Sequence, residues 1–325
     1  MGKQNLASTC AGMVLALAGV VGGEVEAELH AAATGGGGPE PAAEASAFGG
    51  DTMLDIILVI DNSGSMGPPI ASLQDQLYDH LVAPLIAIGL DTRVIVVSRH
   101  GDLASESVCF EVPLSSVPPG GCDTPPFQPG LTDGFKHYSV EVGSLDAWCL
   151  LLSTYDGSTP DEFGLAPNGW LQWLRSDALK LVIAVSDDGI ACGSYDDGNS
   201  VAGGTTAAAA FDSDLLALSP THFGTSDDRN YVAHSLVGLA PNTPPDEPWP
   251  PTSPITTAQC AGSVSPGTGH QGLAILTGGL RFPVCATVTF DTFLDAVSSD
   301  TLSRVPIFAD GFESGDTSAW SHSVP

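Results

Sequence analysis

Residues 54–67 read LDIILVIDNSGSMG. From Leu54 to Ile60 the side chains are apolar, interrupted only by Asp55. A short, nearly continuous apolar run reads as a strand buried on both faces. The run stops at Asp61-Asn62-Ser63-Gly64-Ser65, a turn of small polar residues. Asp61, Ser63 and Ser65 therefore stand at alternate positions at the C-terminal end of a buried strand. Open α/β sheets bind ligands at that end. The three side chains offer oxygen only, which suits Mg²⁺, Mn²⁺ or Ca²⁺ rather than Zn²⁺. A plainer reading exists, because Asp and Ser are also ordinary turn and N-cap residues.

Downstream, residues 68–88 carry Ile70, Leu73, Leu77, Leu81, Leu85 and Ile88 at helical spacing, with a kink expected at Pro84 and a stop at Gly89. Residues 92–97 are the next buried strand. Strand, helix and strand make the βαβ unit of a parallel sheet. A second strongly apolar strand, residues 179–186, ends at Asp187-Asp188-Gly189, so a carboxylate again stands at a strand's C-terminal end. Between these two landmarks, residues 98–137 are too long for a plain connection and read as an insertion. A strand is expected over 138–142 and helices over 145–152 and 165–174. Beyond the second landmark, 190–210 reads as loop, 211–218 as helix, 231–239 as strand and 240–258 as Pro-rich loop. A helix over 268–276, a strand over 280–284 and a helix over 292–297 close the pattern. The fold class is α/β: a doubly wound, mostly parallel central sheet flanked by helices, with disulfide-pinned loop insertions.

Composition sets the boundaries. The chain has 325 residues, with 38 acidic against 9 basic side chains and a net charge of -29. Such a surface repels nucleic acid and anionic membranes. Residues 1–27 read as a secretory signal peptide: Lys3, an apolar stretch over 11–21, and small residues up to Ala27. That stretch is too short and Gly-rich for a membrane span, so no transmembrane segment is expected after its removal. Residues 28–50 hold almost no large apolar side chain and read as a disordered linker. The folded domain is expected over 51–305, and residues 306–325 change character again. The expected location is outside the cytoplasm: secreted, periplasmic or on the cell surface. Loss of Cys10 with the signal leaves Cys109, Cys122, Cys149, Cys192, Cys260 and Cys285. An even count in an exported chain implies disulfides. Sequence neighbours pair most simply, Cys109 with Cys122 and Cys260 with Cys285, leaving Cys149 for Cys192.

Taken together, these segments resemble von Willebrand factor type A domains over residues 52–305. The D-x-S-x-S turn at Asp61 is similar to that family's metal-ion-dependent adhesion site. Thr159, with Gly164 beyond it, falls where the family has a Thr-containing loop. Ser186-Asp187-Asp188-Gly189 resembles its "TDG" strand ending, and LAILTGGLRF (residues 273–282) a late helix–turn–strand passage of bacterial members. The resemblance implies one divalent cation, Mg²⁺ before Mn²⁺ or Ca²⁺, held by Asp61, Ser63, Ser65, Thr159 and Asp187. Ser158 or Asp161 are alternatives to Thr159, and Asp188 to Asp187. It implies an open coordination position for a carboxylate from a protein or surface ligand, and binding rather than catalysis.

Enzyme readings fit less well. An aspartyl phosphotransferase pattern needs a second carboxylate at position 63, which is Ser. Arg99-His100-Gly101 matches part of a histidine phosphatase motif, but it follows the second strand and lacks further Arg and His, so His100 reads as structural. No G-x-S-x-G nucleophile elbow occurs. Trp148, Trp170 and Trp173 read as core. The doublets Asp196-Asp197 and Asp227-Asp228 read as solvated turns. DGFESGDTSAW (residues 310–320) resembles a tail found on exported bacterial proteins.

Overall fold

The computed structural model describes residues 52–101 and 106–305. The expected signal peptide, linker and C-terminal tail lie outside these residues. The elements run β1 (Met53–Ile60), α1 (Gly67–Leu77), α2 (Ala83–Ala87), β2 (Asp91–Ser98), β3 (Phe135–Ser139), α3 (Ala147–Tyr155), β4 (Leu179–Val185), β5 (Ala191–Cys192), β6 (Tyr195–Asp196), α4 (Val201–Leu218), α5 (Pro220–Phe223), β7 (Tyr231–Val237), α6 (Thr268–Thr277), β8 (Arg281–Pro283) and α7 (Phe290–Arg304). Six strands form one sheet in the order β3-β2-β1-β4-β7-β8, and every neighbouring pair is parallel. β5 and β6 form a separate antiparallel pair. The architecture is α/β and Rossmann-like.

The apolar run Leu54–Ile60 lies at the centre of the sheet. Ile57 stands beside Ile95 of β2 and Val182 of β4. Alternation along β1 feeds two cores: Ile56, Leu58 and Ile60 pack under α1 and α7, while Ile57 and Val59 pack under α3 and α4. The same alternation holds for β2, where Val94 and Val96 face one core and Ile95 and Val97 the other. Burying each such side chain contributes roughly 1.5–3 kcal/mol. Trp148, Trp170 and Trp173 are all buried in the second core, as expected. Among the described residues between β2 and β3 no α-helix makes the crossover, and Val108, Phe110 and Leu114 enter the first core.

Polar ties fix the other end of the sheet. Asp55, fully buried, accepts hydrogen bonds from Arg175 N and Nε at 2.9 Å. Lys180 is also fully buried, and its Nζ donates to the carbonyls of Arg175 and Ala178 at 2.6 Å. The three disulfides pair as neighbours in sequence suggested: Cys109–Cys122, Cys149–Cys192 and Cys260–Cys285.

Several boundaries differ from expectation, each for a physical reason. The helix after β1 does not simply kink at Pro84. It widens into a π turn over Tyr78–Val82, with Ala83 N–H bonded to the Tyr78 carbonyl. Pro84 has no N–H for the carbonyl of His80, and the wider turn accommodates that loss. β3 begins three residues earlier than expected and ends at Ser139, because Val142 leaves the sheet to exchange hydrogen bonds with Asn62. The helix expected over 165–174 reduces to one 3₁₀ turn, Trp170–Trp173, since Pro167 and the left-handed Gly169 (φ 77°) bar a longer one. The stretch read as loop over 190–210 contains a β-hairpin and then half of α4. Ser200 caps α4 by accepting from Gly203 N–H. The glycines that masked this helix are packing positions. A Cβ on Gly204 would stand 2.4 Å from the Thr268 carbonyl oxygen, and one on Gly272 would stand 2.7 Å from the Gly204 oxygen. Small residues let α4 and α6 approach closely.

Candidate metal centre

The strand order reverses between β1 and β4, so the chain leaves β1 in one direction and β4 in the other. A crevice at the carboxyl ends of the strands forms at such a switch point. Asp61 follows β1 directly, and Ser186, Asp187 and Asp188 follow β4. The parallel register holds the two ends together, with Asp61 N–H donating to the Val185 carbonyl at 2.9 Å.

Asp61, Asp187 and Asp188 are buried, with 1%, 3% and 5% exposure. One carboxylate oxygen from each lies within 4.8 Å of the others. Asp61 Oδ1 accepts from Ser63 N–H at 2.7 Å, and Oδ2 accepts from the Ser186 hydroxyl at 2.7 Å. Ser65 Oγ donates to Asp187 Oδ1 at 3.0 Å and lies 3.2 Å from Ser63 Oγ. Asp188 N–H donates to Ser186 Oγ at 3.0 Å, so that one hydroxyl serves both strand ends.

Burial pushes the Asp61 carboxyl up from its ordinary value, against the pull of the Ser63 and Ser186 hydrogen bonds. Asp188 is pushed up to about 6 by burial, with the Ser144 hydroxyl working the other way and the charges of Asp187 and Asp61 adding to the rise. Three carboxylates held close in a water-poor crevice repel one another. A divalent cation would relieve that repulsion, and the mixed carboxylate–hydroxyl donor set fits Mg²⁺.

The surrounding loops are fastened. Asn62 ties three segments: Nδ2 donates to Ser98 Oγ at 2.9 Å, and Oδ1 accepts from Arg99 N–H at 2.8 Å and Val142 N–H at 3.2 Å. The Asp187 carbonyl accepts from Val264 and Ser265 N–H. Asp197, read from sequence as part of a solvated turn, is 2% exposed. Its carboxylate accepts from the N–H groups of Ile190, Asn199 and Gly269, joining the β4 exit to the start of α6. Gly189 makes room for it, since a Cβ there would stand 2.7 Å from Asp197 Oδ2. Asp227 and Asp228 are exposed, as solvated turns would be, and Asp196 is exposed at the end of β6.

Of the residues singled out in the sequence, Asp61, Ser63, Ser65 and Asp187 form one hydrogen-bonded group, and Asp188 joins it instead of replacing Asp187. Thr159 stands apart in its bonding. Its hydroxyl donates to Ser153 Oγ at 2.8 Å, its N–H to the Ser153 carbonyl, and its own carbonyl accepts from Tyr138. Asp161 is likewise engaged, accepting from Ser139 and Leu165 N–H. Ser144, in the turn after β3, stands beside Asp188. No motif marked it; only the register of β3 on β2 brings that turn to the crevice. His100 is 3% exposed and its ring nitrogens face the carbonyls of Val108 and Pro126 at 3.3 and 2.8 Å. Comparison with protein-family models, with curated proteins and with solved structures finds no match to this chain.

Proposed function

We propose that this chain binds a divalent cation, Mg²⁺ before Mn²⁺ or Ca²⁺, in the manner of a von Willebrand factor type A domain, and uses it to capture a protein or surface ligand through that ligand's carboxylate. The observation that carries this is the meeting of Asp61, Asp187 and Asp188 at the switch point, with Ser65 bonded to Asp187. Asp61, Ser63, Ser65, Asp187 and Asp188 are the residues that would hold the ion, with the Ser144 hydroxyl beside Asp188; Thr159, expected from its order along the chain, has its hydroxyl bonded to Ser153 Oγ. The bound cation supplies an electrophile for an anionic oxygen from outside. A binding role is favoured over phosphoryl transfer because position 63 offers a hydroxyl, and because both His100 ring nitrogens face backbone carbonyls, to one of which a neutral imidazole donates. The three disulfides suit an oxidising compartment, in line with an exported protein. Among the described residues, no helix is long and apolar enough to cross a membrane.

The test is thermal unfolding of the EDTA-treated chain against added Mg²⁺, with Asp61→Ala beside it. Binding only the folded state at one hundred times Kd stabilises by about 2.7 kcal/mol. A rise in Tm in wild type and none in the variant supports the reading; no rise in wild type overturns it.

A further inference from the structure

Lysine and arginine are scarce in this chain, and among the described residues nearly all are committed. Arg175 holds Asp55 and Asp91, Arg229 holds Asp212, and Arg304 holds Asp300. Arg93, Lys136, Lys180 and Arg281 donate to backbone carbonyls. Arg99 differs. Among the described residues its carboxylate neighbour is Glu141, an exposed side chain 3.5 Å away, at the far edge of hydrogen-bond range. Arg99 lines a pocket of about 490 Å³ together with Ser107, Phe127, Glu162 and Phe163.

Ser107, which also lines the pocket, is 7% exposed, and its Oγ has no hydrogen-bond partner among the described residues. A buried hydroxyl without a partner is costly to keep, and a ligand oxygen would satisfy it. Phe127 is 84% exposed and stands edge-on to Phe163, with ring centroids 5.4 Å apart. A large apolar ring left open beside a guanidinium and an unsatisfied hydroxyl makes a two-part surface. One part wants an anion and the other wants a flat apolar group. The Glu162 carboxylate, which accepts from Ser139 Oγ at 3.1 Å, makes no ion pair with Arg99, whose carboxylate neighbour among the described residues is Glu141.

We infer that this pocket binds an arylalkyl carboxylate, a small anion whose aromatic ring is joined to its carboxylate by a short aliphatic link. The guanidinium of Arg99 pairs with the carboxylate, where its planar fork gives two parallel hydrogen bonds. Ser107 donates to the same group. The ring rests against Phe127 and Phe163, in the offset or edge-to-face geometry that aromatic pairs prefer. The inference does not rest on the metal reading and is tested without metal.

The probe is 3-phenylpropanoate, titrated calorimetrically into the full chain in EDTA, beside the uncharged amide of the same shape. The acid is expected to bind at least tenfold more tightly than the amide. Arg99→Gln should remove that preference. Ser107→Ala should weaken the acid while leaving Tm unchanged or higher, because it deletes an unsatisfied buried group. Phe127→Ala, at an exposed position, should weaken acid and amide alike. Equal affinity for acid and amide, no binding of either, or an unchanged preference in a folded Arg99→Gln protein overturns the inference. Each of those results leaves the metal reading standing, since no metal is present.

Discussion

Ser65 Oγ donates a 3.0 Å hydrogen bond to Asp187 Oδ1 across 122 positions of sequence. The bond joins the turn after β1 to the end of β4 and aims both groups at the same crevice. Ser65 is exposed, so the bond contributes modestly to stability, about 1 kcal/mol. Its larger effect is expected on metal binding. Ser65→Ala should unfold within a few degrees of wild type in EDTA yet show a markedly smaller Mg²⁺-induced rise in Tm. An undiminished rise would remove Ser65 from the ligand set.

Asp188 gives a sharper test, because stability and function pull in opposite directions there. Its carboxyl is held near 6 chiefly by burial, reinforced by the charges of Asp187 and Asp61. Ionising it at pH 7.5 in that setting costs up to about 3 kcal/mol. Asp188→Asn removes the charge and keeps the shape. In EDTA the variant should unfold several degrees higher than wild type; in Mg²⁺ the order should reverse. A variant less stable than wild type in EDTA would show that the carboxylate is a structural group, not a strained ligand.

Three buried imidazoles set the acid limit of the fold. Burial lowers His137 to about 3 and His234 and His270 to about 4, with His100 adding to the effect on His137. Asp300 and Asp197 pull His234 and His270 back up, but less strongly. All three folded values lie below the ordinary 6.5, so between pH 6.5 and 4 the unfolded chain takes up protons that the fold refuses. Their stabilisation is complete above 6.5 and is lost as pH falls, by up to about 3 kcal/mol per imidazole at pH 4. The raised carboxyls of Asp188, Asp61 and Asp146 oppose this as pH falls, while His222, also lowered by burial, adds to it. Calorimetric Tm should therefore fall steadily from pH 7 to 4.5, and His234→Gln should reduce the slope. A Tm that stays level or rises over that range would contradict the assignment of neutral buried histidines.

Much of this was legible in the sequence for one reason: strands buried on both faces need apolar residues at every position. Leu54 to Ile60 and Leu179 to Val185 come close to that, broken only by Asp55 and Lys180, whose buried groups are bonded to Arg175 and to backbone carbonyls, and each run is followed by carboxylates, so the sheet could be read directly. The rest depended on packing. Residues 201–210 of α4 read as loop because Gly203, Gly204, Thr205 and Thr206 are poor helix formers; Gly204 is there for the close approach to α6, and Gly203 for the Asp197 carbonyl, against which a Cβ would stand 2.1 Å away. Asp197 looked like a solvated turn because nothing local shows that Ile190, Asn199 and Gly269 converge on it. Thr159 matches the expected order along the chain, but order says nothing of its bonding to Ser153 Oγ, nor that the turn after β3 comes beside Asp188. That turn carries Ser144, a single serine in a stretch without pattern.

The Cys149–Cys192 disulfide tests whether the loops around the site are held for binding or for stability alone. It clamps α3 to the hairpin that follows Asp187 and Asp188, closing a loop of 43 residues. Ala191 N–H donates to the Leu145 carbonyl on the same side, and Asp197 lies five residues beyond Cys192. Removing the bridge should cost about 4 kcal/mol by loop entropy, against about 3 kcal/mol for Cys109–Cys122, which closes a shorter loop remote from the β4 exit. The two double Cys→Ser variants should therefore differ little in Tm. They should differ in their response to metal: without Cys149–Cys192 the hairpin is free to carry Asp197 and the β4 exit away from Asp61, and Mg²⁺ affinity should fall several-fold. Without Cys109–Cys122 it should be unchanged. Equal loss of Mg²⁺ affinity in both variants would mean that the disulfides act through global stability, and that the geometry of the carboxylate cluster is set by the sheet alone.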